Sequence, residues 1–167
     1  VATSAGTGAG VDTTPVITTA QGGVRIDDFQ TTTFTSGWKG FESLYIPESQ
    51  TTENLNLSST SGQNIIDLRA GSFSSVNILP PSAKTDLPTS MLRSAQTYFG
   101  YNNVALAYGS EINAVTGGAA KDTYYVSDYN VTITDSSSSN QVYLNGRSQD
   151  WSIATNGSTK TYTNIQT

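Results

Sequence analysis

Residues 123–153 read TYYVSDYNVTITDSSSSNQVYLNGRSQDWSI. Four apolar residues in this stretch are nine positions apart: Tyr124, Ile133, Val142 and Trp151. Each lies in a short run of residues that favour extended backbone, so the stretch predicts four short strands. A period of nine residues is typical of a parallel β-roll, in which successive turns of the chain stack on one another.

Two Asn-Gly pairs allow a second interpretation of the same period. Asn145-Gly146 and Asn156-Gly157 each stand between strand-like runs, and Asn-Gly favours the tight turn of a β-hairpin. The period therefore fits either stacked turns or successive hairpins. We predict an all-β fold in which β-roll or solenoid-like turns are combined with a β-sandwich.

The composition supports this fold class. Charged residues are only 13% of the 167 residues, and nine Tyr accompany many Thr and Ser. Such residues suit a pleated, half-exposed sheet better than a helix. We expect little helix, with one short candidate between Leu87 and Phe99, where apolar residues are three and four positions apart.

The first 22 residues differ in composition from the remainder. They are rich in Gly, Thr and Ala, which is typical of a linker. We expect a flexible or extended N-terminal arm over residues 1–22 and a single β-rich domain over 23–167. In a second interpretation, Pro15 to Thr18 adds a strand to the sheet of a neighbouring subunit.

Residues that are missing from the chain exclude several chemistries. The chain has no His and no Cys, which rules out disulfides, thiolate nucleophiles and every catalytic triad that contains His. The net charge is −5 and the eight cations are scattered, so we expect no nucleic-acid partner. No apolar run approaches the roughly 20 residues that cross a bilayer, so we expect no membrane span.

Two segments carry a resemblance to a known family. The first is Ile65 to Val76, IIDLRAGSFSSV, and the second is Gly109 to Val126, GSEINAVTGGAAKDTYYV. In this order they resemble the C-terminal calcium-binding region of serralysin-like secreted proteases. The same region recurs without a protease in secreted repeats-in-toxin proteins. The resemblance spans about residues 50 to 130, and it implies a β-roll and a location outside the cell or on the surface of a cell or particle.

The resemblance also implies a calcium site. In the family's turn motif, glycines let carbonyl oxygens face the ion and an Asp adds a carboxylate. Here Gly117, Gly118 and Asp122 keep their places, Ala120 replaces the third glycine, and the facing turns offer Asp128 and Asp135. Calcium is thus the expected cofactor. In the alternative interpretation, Gly117-Gly118 is an ordinary turn and Asp122 is a surface or capping residue.

No pair of carboxylates is placed for catalysis by the sequence. Asp27 and Asp28 are adjacent on a predicted strand and point to opposite faces, and nothing brings Glu42, Glu48 or Glu53 together. We therefore expect no enzymatic activity. For protein partners or self-association, the candidates are exposed β edges and the patch from Tyr98 to Tyr101.

These observations favour a non-catalytic extracellular module with a structural or adhesive role in a secreted repeats-in-toxin-like protein, stabilised by calcium. One alternative is a structural subunit of an ordered extracellular assembly, such as a surface layer, a fibre or a virion decoration. Another is the C-terminal, non-catalytic part of a secreted metalloprotease. The catalytic zinc site of such a protease would lie elsewhere, since this chain has no His.

Overall fold

The computed structural model describes residues 11–12, 16–18, 24–26, 31–34, 44–46, 53–79 and 100–166. These residues form fifteen strands and one short 3-10 helix, Ser148–Asp150. In chain order, the strands are β1 (Val11–Asp12), β2 (Val16–Thr18), β3 (Val24–Ile26), β4 (Thr31–Phe34), β5 (Leu44–Ile46), β6 (Glu53–Asn56), β7 (Gln63–Asp67), β8 (Phe73–Ile78), β9 (Val104–Leu106), β10 (Ile112–Thr116), β11 (Thr123–Tyr125), β12 (Val131–Thr134), β13 (Gln141–Tyr143), β14 (Trp151–Asn156) and β15 (Thr159–Asn164).

The strands form two mixed sheets. The first sheet has the order β1-β4-β6-β10-β12-β15-β14, and the second has the order β13-β11-β7-β8-β9-β5-β3-β2. The chain crosses repeatedly from one sheet to the other, and β4, β6, β10 and β12 are parallel neighbours in the first sheet. In the second sheet, β7, β11 and β13 are parallel neighbours. The predicted all-β fold, with roll-like turns in a two-sheet sandwich, is confirmed.

The nine-residue period is half a turn of this roll. Val115 pairs with Ile133 in the first sheet, and Tyr124 pairs with Val142 in the second. Each pair is 18 residues apart, so nine residues carry the chain across from one sheet to the other. Side chains nine residues apart therefore point from opposite sheets into the same interior.

The roll is interrupted at two places. Between β7 and β10 the chain inserts β8, which is antiparallel to both of its neighbours, β7 and β9. After β13 the roll ends, and β14 and β15 form an antiparallel hairpin that extends the first sheet beside β12. Gly157 has a φ of 60° in this hairpin's turn. Asn156-Gly157 is thus at a hairpin, whereas Asn145-Gly146 lies in a crossing between the two sheets.

One apolar core fills the space between the sheets. It is built from aliphatic and aromatic side chains that alternate with outward-facing residues along the strands. Its largest fully buried members are Tyr124, Phe34, Ile46, Leu57, Ile66, Leu68 and Ile112. Trp151 and Tyr162 of the terminal hairpin are 6% and 4% exposed, so the hairpin belongs to the same core.

Two short segments of the predicted N-terminal arm are strands that pair within the chain. Val11 pairs with Phe34 in the first sheet, and Val16 pairs with Ile26 in the second. The division of the chain at residue 22 stays a prediction. The helix expected between Leu87 and Phe99 lies outside the described residues.

Candidate functional site

The turn between β10 and β11 contains the residues that the sequence singled out as calcium ligands. Gly117 and Gly118 follow β10 directly, and Asp122 immediately precedes β11. All three residues are buried, and Asp122 has no exposed surface. The burial of Asp122 is inconsistent with a surface residue, which was one half of the alternative interpretation of this turn. The other half, a capping residue, is not tested by burial.

The carboxylate of Asp122 accepts hydrogen bonds from several protein donors. The backbone N–H of Asn64 lies 2.8 Å from Oδ1, and the side-chain amide of Asn64 lies 3.0 and 3.1 Å from Oδ1 and Oδ2. The backbone N–H of Gly118 lies 2.9 Å from Oδ2. Asn64 is at the start of β7, 58 residues before Asp122, so this cluster joins neighbouring turns of the roll.

The orientation of the Asn64 amide follows from its own partners. Its Oδ1 accepts the backbone N–H of Asn77 at 2.8 Å, which only an oxygen can do. Its Nδ2 therefore faces Asp122 and also donates to Thr60 Oγ1 at 2.9 Å. The Thr60 hydroxyl in turn donates to the Leu57 carbonyl at 2.8 Å. The cluster is a connected network in which each buried polar group has a partner.

Glycine is required at positions 117 and 118 because neighbouring atoms lie too close to leave room for a Cβ. A Cβ at Gly118 would lie 2.3 Å from Thr60 Oγ1, and a Cβ at Gly117 would lie 2.2 Å from Asp135 Oδ2. Neither glycine is among the residues with positive φ, and neither is Ala120. The alanine at the family's third glycine position therefore carries no left-handed strain, and the double glycine makes room for polar side chains.

Tyr124 connects Asp122 to Asp135. Its hydroxyl lies 2.7 Å from Asp135 Oδ2 and 3.3 Å from Asp122 Oδ2. Burial raises the pKa of Tyr124 above its usual range, and its hydrogen bond to Asp135 raises it further, so the phenol stays protonated and donates. Burial also raises the pKa of Asp122, although the hydrogen bonds from Gly118 and Asn64 oppose this shift.

Asp128 lies apart from this network. Its carboxylate accepts a hydrogen bond from the Asn145 side chain, and its backbone carbonyl accepts one from the Asn164 side chain at 2.9 Å. The structure thus brings together Gly117, Gly118, Asp122 and Asp135, but not Asp128. Within the described ranges, no group of three or more carboxylates is arranged to hold a metal ion.

The groups around Asp122 do not fit a calcium ion. Calcium takes six to eight oxygen ligands, whereas the groups that face the Asp122 carboxylate are the N–H groups of Asn64 and Gly118 and the hydroxyl of Tyr124. The positive ends of these N–H and O–H dipoles stabilise the carboxylate as the charge of a bound ion would. Calcium binding by the chain stays a prediction from the motif.

A second feature is a set of aromatic side chains that the sequence alone does not bring together. Five aromatic side chains lie on or beside the outer face of the second sheet, and we call them the aromatic row: Tyr45, Phe73, Tyr108, Tyr125 and Tyr143. They come from five separate parts of the chain, so no local pattern indicates them. The Tyr98–Tyr101 patch is only partly described: Tyr98 and Phe99 lie outside the described residues, and Tyr101 is exposed.

The carboxylates considered for catalysis are only partly described. Asp27, Asp28, Glu42 and Glu48 lie outside the described residues, and Glu53 begins β6.

Two further carboxylates, Asp67 and Asp150, have partners close to them in the chain. Asp67 pairs with Arg69, whose Nε lies 2.8 Å from the Asp67 carboxylate. Buried Asp150 accepts the backbone N–H of Arg147 at 2.8 Å. These two carboxylates thus have partners within their own segments of chain.

Comparison with protein-family models, curated proteins and solved structures finds no match. The described residues contain no helix of the length and apolarity that would cross a membrane. Any functional assignment therefore depends on the geometry of this chain alone.

Proposed function

We propose that this chain is a non-catalytic extracellular module with a structural and adhesive role, of the kind found in secreted repeats-in-toxin-like proteins. The observation that carries the proposal is the aromatic row, which stands on the outer face of a sheet whose other face packs into the core. Exposed aromatic side chains gathered on one surface mark contact sites, since a folded chain usually buries them.

The buried polar residues support a structural role for the remainder of the molecule. Asp122, Asn64 and Tyr124 bond to one another and to neighbouring backbone, and in this way they fasten one turn of the roll to the next. In this network the Asp122 carboxylate accepts hydrogen bonds from within the protein, which is a structural role. The roll then acts as a stiff support that presents the row.

Adhesion can be measured directly. Beads coated with the chain are passed over surfaces of collagen, mucin, silica and several polysaccharides, and their retention is compared with that of uncoated beads. We expect retention on at least one surface, and we expect its loss when Tyr45, Phe73 and Tyr108 are all replaced by Ala. Retention on none of these surfaces, or equal retention of the triple variant, would contradict the proposal.

A second candidate function is a subunit of an ordered extracellular assembly, and one observation favours it. β13 ends the second sheet, and it has no neighbour on its outer side in the part of the chain that the structure describes. The rings of Tyr143 and Tyr125 stack at 4.9 Å, about the spacing between strands, so a further parallel strand could continue the stack. Light scattering separates this candidate from a free module: concentration-dependent growth that Tyr143→Lys abolishes supports an assembly.

A further inference from the structure

The aromatic row runs across the second sheet in register. Tyr143 pairs with Tyr125, and Tyr125 pairs with Asp67. On the other side, both Phe73 and Tyr45 are paired with Ala105. The antiparallel pairing of Ile65 with Ser75 brings Asp67 beside Phe73, which joins the two halves into one line.

The line has a regular spacing. Tyr125 and Phe73 are separated by one intervening strand, and so are Phe73 and Tyr45. Because neighbouring strands are about 4.8 Å apart, the three positions are spaced at about 10 Å. An extended β-1,4-linked polysaccharide repeats every second sugar at a similar distance, so Phe73 and Tyr45 would each meet an equivalent sugar along such a chain. The Tyr125 ring stacks on Tyr143 and has Arg69 over it, so it would meet a third sugar with its outer edge.

Tyr108 adds a ring that lies flat on the surface. A Cβ built at Gly71 would meet three atoms of the Tyr108 ring at 2.5, 2.7 and 2.9 Å, which places one ring face against the Gly71 backbone. Tyr108 is nevertheless 80% exposed, so its other face is open to solvent. The weakly negative face of an aromatic ring packs well against the C–H groups of a sugar ring.

The charges beside the row disfavour an acidic partner and are compatible with an uncharged one. Asp67 and Arg69 form an ion pair, and the Arg69 guanidinium lies 5.3 Å from the centre of the Tyr125 ring. The pair carries no net charge, while the chain as a whole carries −5. An acidic partner would be repelled by the chain, whereas a neutral, hydroxyl-rich partner could still accept hydrogen bonds from Arg69 and the Tyr hydroxyls.

We propose that the aromatic row binds an extended, uncharged polysaccharide with β-1,4 linkages, such as cellulose or chitin. This inference deepens the adhesion proposed above and rests on it. Phe73, 61% exposed, occupies the centre of the contact, Tyr45 and Tyr125 flank it, and Tyr108 provides the flat platform.

The test is a pull-down with insoluble cellulose and chitin powders, with starch granules as the α-linked control. We expect the chain to bind cellulose or chitin and not starch. Phe73→Ala and Tyr108→Ala should each weaken binding about tenfold, since each removes one ring contact. Ile165→Ala is the control, because Ile165 is 53% exposed but follows β15 of the first sheet, and it should bind like the unmodified chain.

Each outcome decides the proposal. Binding that Phe73→Ala and Tyr108→Ala weaken, and that Ile165→Ala does not, supports it. Binding that is unaffected by the row variants, or equally weakened by Ile165→Ala, overturns the assignment of the site. If coated beads adhere to collagen or mucin through the row while neither powder is bound, the polysaccharide is wrong and adhesion stands. Circular dichroism of every variant verifies that the sheets are intact.

Discussion

At the scale of single residues, the roll depends on polar side chains that enter its interior. Gly117 and Gly118 leave room for Asp135, Tyr124 and Thr60, and Asp122 accepts the N–H groups that converge there. The glycines thus serve packing, and their backbone angles are ones that other residues can adopt.

Replacement of Gly118 should therefore lower the free energy of unfolding more than replacement of Ala120, the third glycine position of the motif. Gly118→Ala places a methyl group 2.3 Å from Thr60 Oγ1, and the buried network has to shift to accommodate it. We expect a loss of about 1–3 kcal/mol in the free energy of unfolding. Ala120→Gly, the control, should change it by less than about 1 kcal/mol. Urea unfolding measures both, and equal effects would contradict this interpretation.

Asp122 should give stability a specific dependence on pH. Burial raises its pKa in the folded chain above the unfolded value of about 3.9, so the folded chain holds this proton more tightly. The contribution of Asp122 to the free energy of unfolding is therefore largest at low pH, and it is lost as the pH rises through the folded-state pKa of Asp122. Asp122→Asn does not titrate, and its amide nitrogen would face buried N–H donors, which costs about 1–3 kcal/mol.

The measurement is urea unfolding of both proteins between pH 4 and pH 8. The unmodified chain should be the more stable, and its advantage over Asp122→Asn should shrink as the pH rises and then level off. An advantage that grows with pH would mean that hydrogen bonds lower the pKa of Asp122 more than burial raises it.

At the scale of elements, side-chain amides bond to the backbone of β7 and β8 and their neighbours at positions where the described strands do not pair. Val76 of β8 donates its N–H to Asn103 Oδ1 at 2.7 Å, and Asn103 Nδ2 donates to the Val76 carbonyl at 2.9 Å. The Asn103 amide thereby replaces a neighbouring strand at this position. Asn77, with a φ of 60°, similarly accepts the Gly62 N–H on its side chain at 2.8 Å.

Asn103→Ala should accordingly destabilise the chain. It would leave the N–H and the carbonyl of buried Val76 without these partners, which we expect to cost about 2–4 kcal/mol in the free energy of unfolding. Gln141→Ala, an exposed amide on β13, is the control and should cost less than about 0.5 kcal/mol. Chemical denaturation measures the free energy of unfolding of both variants. A loss of less than about 0.5 kcal/mol for Asn103→Ala would contradict this role, since it would mean that water replaces the amide.

At the scale of the whole molecule, the two sheets share a core, and the hydrogen bonds that join neighbouring turns through Asp122 are buried within it. Tyr124 and Ile133 face the interior from opposite sheets, and the terminal hairpin covers the end of the first sheet with Trp151 and Tyr162. Within the described ranges, the buried interior and the aromatic row lie on opposite faces of the second sheet, which separates the structural residues from the proposed contact residues.

The calcium hypothesis is tested at this scale. The family resemblance predicts that calcium raises the melting temperature, since an ion that binds only the folded state stabilises it. The donors at Asp122 predict no such rise, because protein N–H groups already occupy its oxygens. From the geometry we expect equal melting temperatures in calcium and in a chelator. A rise in calcium that Asp122→Asn abolishes would favour the resemblance.

The sequence by itself determined the fold class and the nine-residue spacing of the side chains that point inward. The spacing of Tyr124, Ile133 and Val142 is local information, since the number of residues per strand and turn sets which side chains point inward. Glycine at 117 and 118 likewise indicated a turn, and Asp122 stood out beside them. These signals depend on short stretches of chain, so they can be interpreted without knowing which strands pair.

Only the tertiary structure decided which partners meet. Asn145-Gly146 and Asn156-Gly157 are alike in sequence, yet one crosses between sheets and the other is at a hairpin, because strand pairing is a long-range choice. Asp122 meets Asn64 across 58 residues. The aromatic row gathers side chains from five separate segments through the registers of the second sheet. Contacts between segments so far apart depend on how the strands stack, which no local pattern of residues specifies.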